Sequence, residues 1–219
     1  MTDQKQSNFY SKATYIFLVL FLYAFVRYIV IKGVALDHLP LFISNKAISL
    51  TSVFFIGLSY ALGPLGRYWP RMFASMTPLQ IHFGLAGFGL GAIHAFMSLL
   101  LFDPAYYAKF FEDEGKINLV GELSMMFGVL AFFTFSIIAI SSLPSVAASL
   151  GKQQWQNIQK IGYTAYFFVM MHVFVMGIKG WLTPSDWPGG LLPISLVAFI
   201  IIFLVFLVRI LDSLLGKKS

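Results

Sequence analysis

Apolar and polar residues fall along this chain in blocks. Six apolar runs cover roughly residues 13–30, 48–65, 79–101, 117–140, 159–178 and 191–211, with short polar connections between them. Runs of about 18 to 24 apolar residues can cross a hydrocarbon core of roughly 30 Å as helices. Helices are the expected form, because lipid cannot satisfy free backbone groups and no ten-residue alternating pattern of a membrane barrel is present. The pattern predicts an all-α, polytopic membrane protein, a six-helix transmembrane bundle formed by residues 1–219 as a single domain.

Composition agrees with this pattern. The chain is 58% hydrophobic and 11% charged, where soluble domains carry about 25% charged residues. There is no cysteine, so neither a disulfide nor a thiolate-held metal or cluster is available. The net charge of +6 is accounted for by basic loops at a membrane surface, and nucleic acid is not an expected partner. With the N-terminus inside, nine basic residues (Lys5, Lys12, Arg67, Arg71, Lys152, Lys160, Arg209, Lys217, Lys218) fall on the inner side. Six (Arg27, Lys32, Lys46, Lys109, Lys116, Lys179) fall on the outer side. That asymmetry predicts both termini cytoplasmic in a multi-pass protein of a bacterial inner membrane or its equivalent. Trp69, Trp155, Trp181 and Trp187 lie near predicted helix ends, where an aromatic belt places them.

Histidine inside an apolar helix calls for a reason. His94 lies about 15 residues into helix three, about 22 Å from its inner end, and His172 about 13 residues into helix five, about 20 Å up, at 1.5 Å per residue. The two helices run in the same direction, so the histidines match in depth in the outer half of the membrane. Paired neutral imidazoles at one depth suit six-coordinate haem iron. At about 100° per residue, Gly87 lies about 20° and Gly91 about 60° from the His94 face, a surface without side chains that a macrocycle can approach. The same Gly87-x-x-x-Gly91 spacing is an ordinary helix-packing motif, and each histidine alone equally fits an interhelical hydrogen bond. His82 sits about 18 Å lower than His94 and about 120° off its face, as an interfacial residue would. His38, in the first outer loop beside Asp37, reads as surface. Two charges lie inside predicted spans. Arg27 pairs with a haem propionate or snorkels to headgroups, and Glu122 pairs with a nearby base. The glycines of helix three do not follow a strand, so they are no dinucleotide fingerprint.

Several motifs, in order, carry a resemblance to a known family. Gly63-Pro64-Leu65-Gly66-Arg67 closes helix two. Phe83-Gly84-Leu85 follows, with His94 ten residues after the glycine. Ser141-Ser142 closes helix four, and Trp155, Gln159, Tyr163 and His172 follow on helix five. Over a core of about residues 48–180 the chain resembles the ferric-reductase-like transmembrane domain family. That family takes in ferric reductases, NADPH oxidases and the haem-binding membrane subunit of the periplasmic methionine sulfoxide reductase system. In its two-haem members each of helices three and five carries an inner and an outer histidine. Here Gln80 stands 14 residues before His94, and Gln159 stands 13 before His172. The resemblance therefore implies one haem b, with His94 and His172 as axial ligands of its iron, and departs at the inner pair, where His82 is two residues out of place.

The reading is a membrane cytochrome b that passes electrons toward the outer face. It would be an oxidoreductase component working with donor and acceptor proteins or quinone, with no catalytic side chain of its own. A quinone or flavin near Gln80, His82, Gln159 and Trp155 is a candidate at the inner side. The alternative, of another class, is a structural or assembly membrane protein whose buried histidines only make interhelical hydrogen bonds.

Overall fold

The computed structural model describes residues 3–216, with side chains from Ser7 onward; Lys5, Lys217 and Lys218 of the inner basic set lie outside the described side chains. Six long helices form the protein: α1 (Asp3–Phe25), α2 (Ser44–Tyr68), α3 (Gln80–Leu100), α4 (Leu119–Ser141), α5 (Lys152–Trp181) and α6 (Ile194–Leu215). Each contributes a segment long and apolar enough to cross a membrane, and the described residues contain no strand. This is an all-α, multi-pass membrane protein. Six crossings bring both termini to one end, termed here the terminal end; the opposite end is the far end.

The predicted helices exist, but several boundaries move, and α1 begins at Asp3, ten positions before its expected start at residue 13. α2 was expected to start near residue 48. It begins at Ser44, and a π-helical turn (Leu39–Ile43) leads into it, which brings Asn45 and Lys46 onto the helix. The segment Gly63–Arg67 was expected to close α2 near Leu65, yet the helix runs through Pro64 to Tyr68. A proline removes one intrahelical bond and crowds the carbonyl four residues earlier, but a membrane span tolerates this where neighbouring helices enclose the freed group. α5 runs for 30 residues and begins at Lys152, seven positions before the expected start. That extension projects Trp155 and Gln159 along the bundle wall.

α2 is the central helix. Just over half of its apolar window is buried (56%), against 28% or less for the other five. α2 packs on α1, α3 and α6; α4 packs on α3 and α5; α5 packs on α6. Because lipid is as apolar as the helix surfaces, close backbone approach and interhelical hydrogen bonds hold such contacts. The α2–α3 crossing shows both. Ser52 Oγ donates to the Gly87 carbonyl at 2.7 Å, and a Cβ at Gly87 would fall 2.8 Å from Ile56 Cγ1. Across the bundle, the fully buried Tyr166 donates its hydroxyl to the Val53 carbonyl at 3.0 Å, tying α5 to α2. α3 and α5, which carry the two membrane histidines, are not packed directly against each other; α2 and α4 flank the space between them.

At the terminal end, Arg67 beyond the Pro64 turn meets Asp212 of α6 at 2.7 Å. At the far end, Arg27 is buried in a π-helical turn (Val26–Ile31) that extends α1, and its Nε donates to the Leu192 carbonyl at 2.9 Å. Glu122 was expected to pair with a base. It is exposed in the first turn of α4, and among the described residues it has no ion pair; a carboxylate there is favoured by the positive end of the helix dipole.

Candidate functional site

His94 and His172 are both half-buried and held alike. His94 Nδ1 lies 2.7 Å from Asn45 Oδ1 of α2, and His172 Nδ1 lies 2.8 Å from the Ser124 carbonyl of α4. A carbonyl oxygen only accepts, and so does the amide oxygen of Asn45, so each Nδ1 carries the proton and donates. Each ring is thereby set as the tautomer whose Nε2 holds a free lone pair. Neither Nε2 has a hydrogen-bond partner among the described residues, and neither is a buried orphan. The rings are close enough to interact electrostatically.

The Asn45 amide is itself fixed. Nδ2 donates to Ser98 Oγ at 3.0 Å and reaches the Tyr107 hydroxyl at 3.5 Å, and the residue is 1% exposed. On the other side, Ser124 is 2% exposed, and its hydroxyl oxygen lies 3.2 Å from His172 Nδ1 as a second acceptor for the same proton. Gly128, one turn on, leaves room for the ring, since a Cβ there would stand 3.2 Å from His172 Nδ1. Nδ1–H donation to a carbonyl or amide is the outer-shell arrangement that orients metal-bound histidines and raises their basicity. The donor set therefore fits haem iron. Among the described residues no cluster of three or more His, Asp or Glu suits a bare metal ion.

The other residues singled out from the sequence divide. Gly87 and Gly91 were expected to lie against a macrocycle, but both face α2. A Cβ at Gly91 would stand 3.0 Å from Ser52 Oγ, and Gly87 meets the Ile56 backbone; these positions serve the close α2–α3 crossing. Arg27 carries the bond to Leu192 and lies 4.9 Å from the Tyr28 ring. His82 packs on Phe9 of α1 at 5.6 Å between ring centroids, away from the cavity below. His38 stands 3.9 Å from Asp37 and edge-on to Phe42 and Tyr106.

Toward the terminal end, a cavity of about 300 Å³ opens between α2, α3, α4 and α5. Gln80, Gln159 and Trp155 line it together, with Tyr60, Tyr163, Lys160 and Arg209. Gln159 Nε2 donates to Ser141 Oγ and Ser142 Oγ at 3.2 and 3.1 Å, which turns its carbonyl oxygen away from the serines as a free acceptor. This explains the serine pair at the end of α4. Tyr60 and Tyr163 pack with ring centroids 4.8 Å apart and planes tilted by 39°, and the Arg209 guanidinium covers Tyr163 at 5.2 Å. Sequence reasoning missed Asn45, Ser124, Gly128 and Tyr60. For Asn45 a signal existed, a polar amide just before an apolar run, but it was assigned to a loop.

Fold and site thus describe a multi-pass α-helical membrane protein with two preset imidazoles in one half and, in the other, a largely apolar cavity that carries a few polar side chains. No family model matches the chain. It is similar to the protein "Metalloreductase STEAP2" of Mus musculus and of Homo sapiens, at 25% identity over 190 aligned residues in each case; the match takes in 73% of this chain and 39% of each relative. The chain therefore spans well under half the length of these relatives. The similarity is distant.

Proposed function

We propose that the chain is the haem-carrying membrane part of an electron-transfer system, a cytochrome b with one haem held by Nε2 of His94 and Nε2 of His172. The observation that carries this is the matched tautomers. The second reading expected the histidines to make interhelical hydrogen bonds, and they do, but each spends only Nδ1 on its neighbour. A purely structural histidine has no need of a free Nε2 aimed away from its partner helix.

When bound, the haem supplies a one-electron couple. The protein's part is to present two neutral imidazoles and hold their protons at Nδ1, while the ring pairs Phe88–Phe132 and Phe127–Phe168 close the α3–α4 and α4–α5 contacts. Such burial and ligand hydrogen bonding are the means by which a protein sets a haem potential. The proposed orientation places both termini in the cytoplasm, so the histidines lie in the outer half and electrons pass toward the outer face. By analogy with the metalloreductases it resembles, the acceptor is a metal ion such as ferric iron or a partner protein. The cavity at Gln80, Gln159 and Trp155 is the proposed donor site, taking a planar redox ring, quinone or flavin, that accepts and donates hydrogen bonds. Glutamine at both positions there leaves no inner ligand pair for a second haem.

The test is the reduced-minus-oxidised optical spectrum and haem content of the purified protein. The expected result is b-type bands and one haem per chain, both lost in His94→Ala and in His172→Ala. Bands that survive either substitution would sink the assignment.

A further inference from the structure

The far end holds acids as well as bases, but several of its cations are not paired with them. Among the described residues, Arg27, Lys32, Lys46 and Lys109 form no salt bridge. Arg27 spends its Nε on Leu192. Lys46 is the least accounted for. It lies on the first turns of α2, inside the spanning segment, and its Nζ stands 4.1 Å from the centroid of Phe42, 5.3 Å from Tyr28 and 5.6 Å from Tyr107. No hydrogen bond or ion pair to a described residue accompanies these ring contacts. An ammonium held at membrane depth by ring faces alone calls for a charge partner.

Lys109 stands on the same aromatic group. Its Nζ lies 5.0 Å from the Phe110 centroid, and Phe110 stacks on Tyr107 at 5.6 Å with 23° between planes. Lys109 Nζ also donates to the Met176 carbonyl at 2.8 Å, one turn beyond His172 on α5. Each ammonium therefore belongs to one histidine. Tyr107, which walls Lys46, reaches the Asn45 amide that holds His94. Lys46 is in electrostatic range of His94, and Lys109 of His172 and of Lys46.

We propose that Lys46 and Lys109 are the two charge partners of a haem's two carboxylates, set on the far-end side of the histidine pair by the Phe42–Tyr107–Phe110 aromatic group. The proposal rests on the haem reading above and adds to it an orientation: the carboxylate edge faces the far end. The chemistry that selects this partner is the number and placement of the cations, one beside each ligand. Lysine keeps its remaining donors free for an incoming carboxylate after one is spent on Met176.

The test separates the two claims by using two porphyrins. Haem-free protein in lipid nanodiscs is titrated with ferric protoporphyrin IX and with its dimethyl ester, in which both carboxylates are capped, and uptake is followed by the optical spectrum. Wild type is expected to take the free acid at least about tenfold more tightly than the ester, the scale of one charge-assisted hydrogen bond. Lys46→Met and Lys109→Met are each expected to lose most of that preference while binding the ester as wild type does. Equal affinity of wild type for both porphyrins, or a full preference kept by both variants, overturns the proposal and leaves the haem reading intact. Failure of wild type to take up either porphyrin overturns both. If the methionine variants lose the ester as well, their fold is damaged, and Lys46→Arg and Lys109→Arg decide: charge-keeping variants that bind the ester normally must prefer the free acid, and their failure to do so overturns the proposal.

Discussion

His94 and Asn45 are joined side chain to side chain at 2.7 Å, across the boundary between α3 and α2. The bond makes α2, which has no histidine of its own, a determinant of how His94 presents its second nitrogen. Asn45→Leu removes the close acceptor and leaves Nδ1–H only the Ser98 hydroxyl at 3.4 Å. Loss of an outer-shell partner typically costs 10–100-fold in ligand affinity, so haem affinity is expected to fall by about that factor. Asn45→Asp is expected to retain haem and to lower its midpoint potential, because an anionic acceptor makes the imidazole a stronger donor. Haem titration and potentiometry measure the two effects, and an unchanged affinity in Asn45→Leu would remove Asn45 from the site.

On the opposite side, Gly128 admits the His172 ring. An added Cβ would stand 3.2 Å from Nδ1, so alanine forces a small shift and leucine a large one. Gly128→Ala is expected to keep the haem with an altered potential. Gly128→Leu is expected to break the Ser124–His172 bond and give a five-coordinate, high-spin spectrum or none. Electron paramagnetic resonance distinguishes these states, and a low-spin wild-type signal from Gly128→Leu would contradict the geometry.

Gln159 is proposed to serve the donor cavity without touching the histidines. Gln159→Leu should leave haem content and the optical spectrum unchanged and slow reduction of the haem by a quinol or reduced flavin by about tenfold, the cost of about one hydrogen bond. Stopped-flow reduction reads this directly. A variant reduced at the wild-type rate would place electron access elsewhere.

Gly87 belongs to packing. Because its Cβ would fall 2.8 Å from Ile56 Cγ1 and 2.9 Å from the Ile56 backbone nitrogen, Gly87→Val must push α3 off α2. Overpacking of this kind costs about 1–3 kcal/mol. The expected outcome is a lower thermal midpoint for the haem-free protein, whether or not haem binds. A loss of stability seen only in the haem-bound form would restore Gly87 to the cofactor surface.

Lys109 makes stability depend on pH. Burial of its ammonium pushes it down from 10.5 to about 8 in the haem-free protein. The folded state therefore gives up this proton first, and between pH 8 and 10.5 the unfolded state binds more protons. The group's destabilising effect is constant below pH 8 and is relieved as pH rises through that window. The stability of wild type relative to Lys109→Met should rise with pH from about 8 upward. Parallel curves for the two proteins across this range would show that the ammonium is not desolvated.

The architecture was legible from residue pattern alone. Lipid satisfies no backbone groups, so long apolar runs have one regular outcome; the equal depth of His94 and His172 was an expectation counted from a start of α5 that lies seven residues later than the observed one. The glutamines at positions 80 and 159 were likewise noticed by spacing, and the structure brings both to one cavity with Trp155. What lay outside the reach of periodicity was everything that depends on which helix faces which. Rotation about a helix axis is set by close packing, and so Gly87 and Gly91 turned toward α2 because Ser52 and Ile56 fill the surface they offer.

The chain by itself determined an all-α membrane bundle and left no cysteine for thiolate chemistry, because these follow from solvent and composition. Only the tertiary structure decided the proton positions on the two imidazoles. An Nδ1 proton is fixed by the acceptor it meets, and those acceptors, the Asn45 amide and the Ser124 carbonyl, come from helices distant in sequence from the rings they hold.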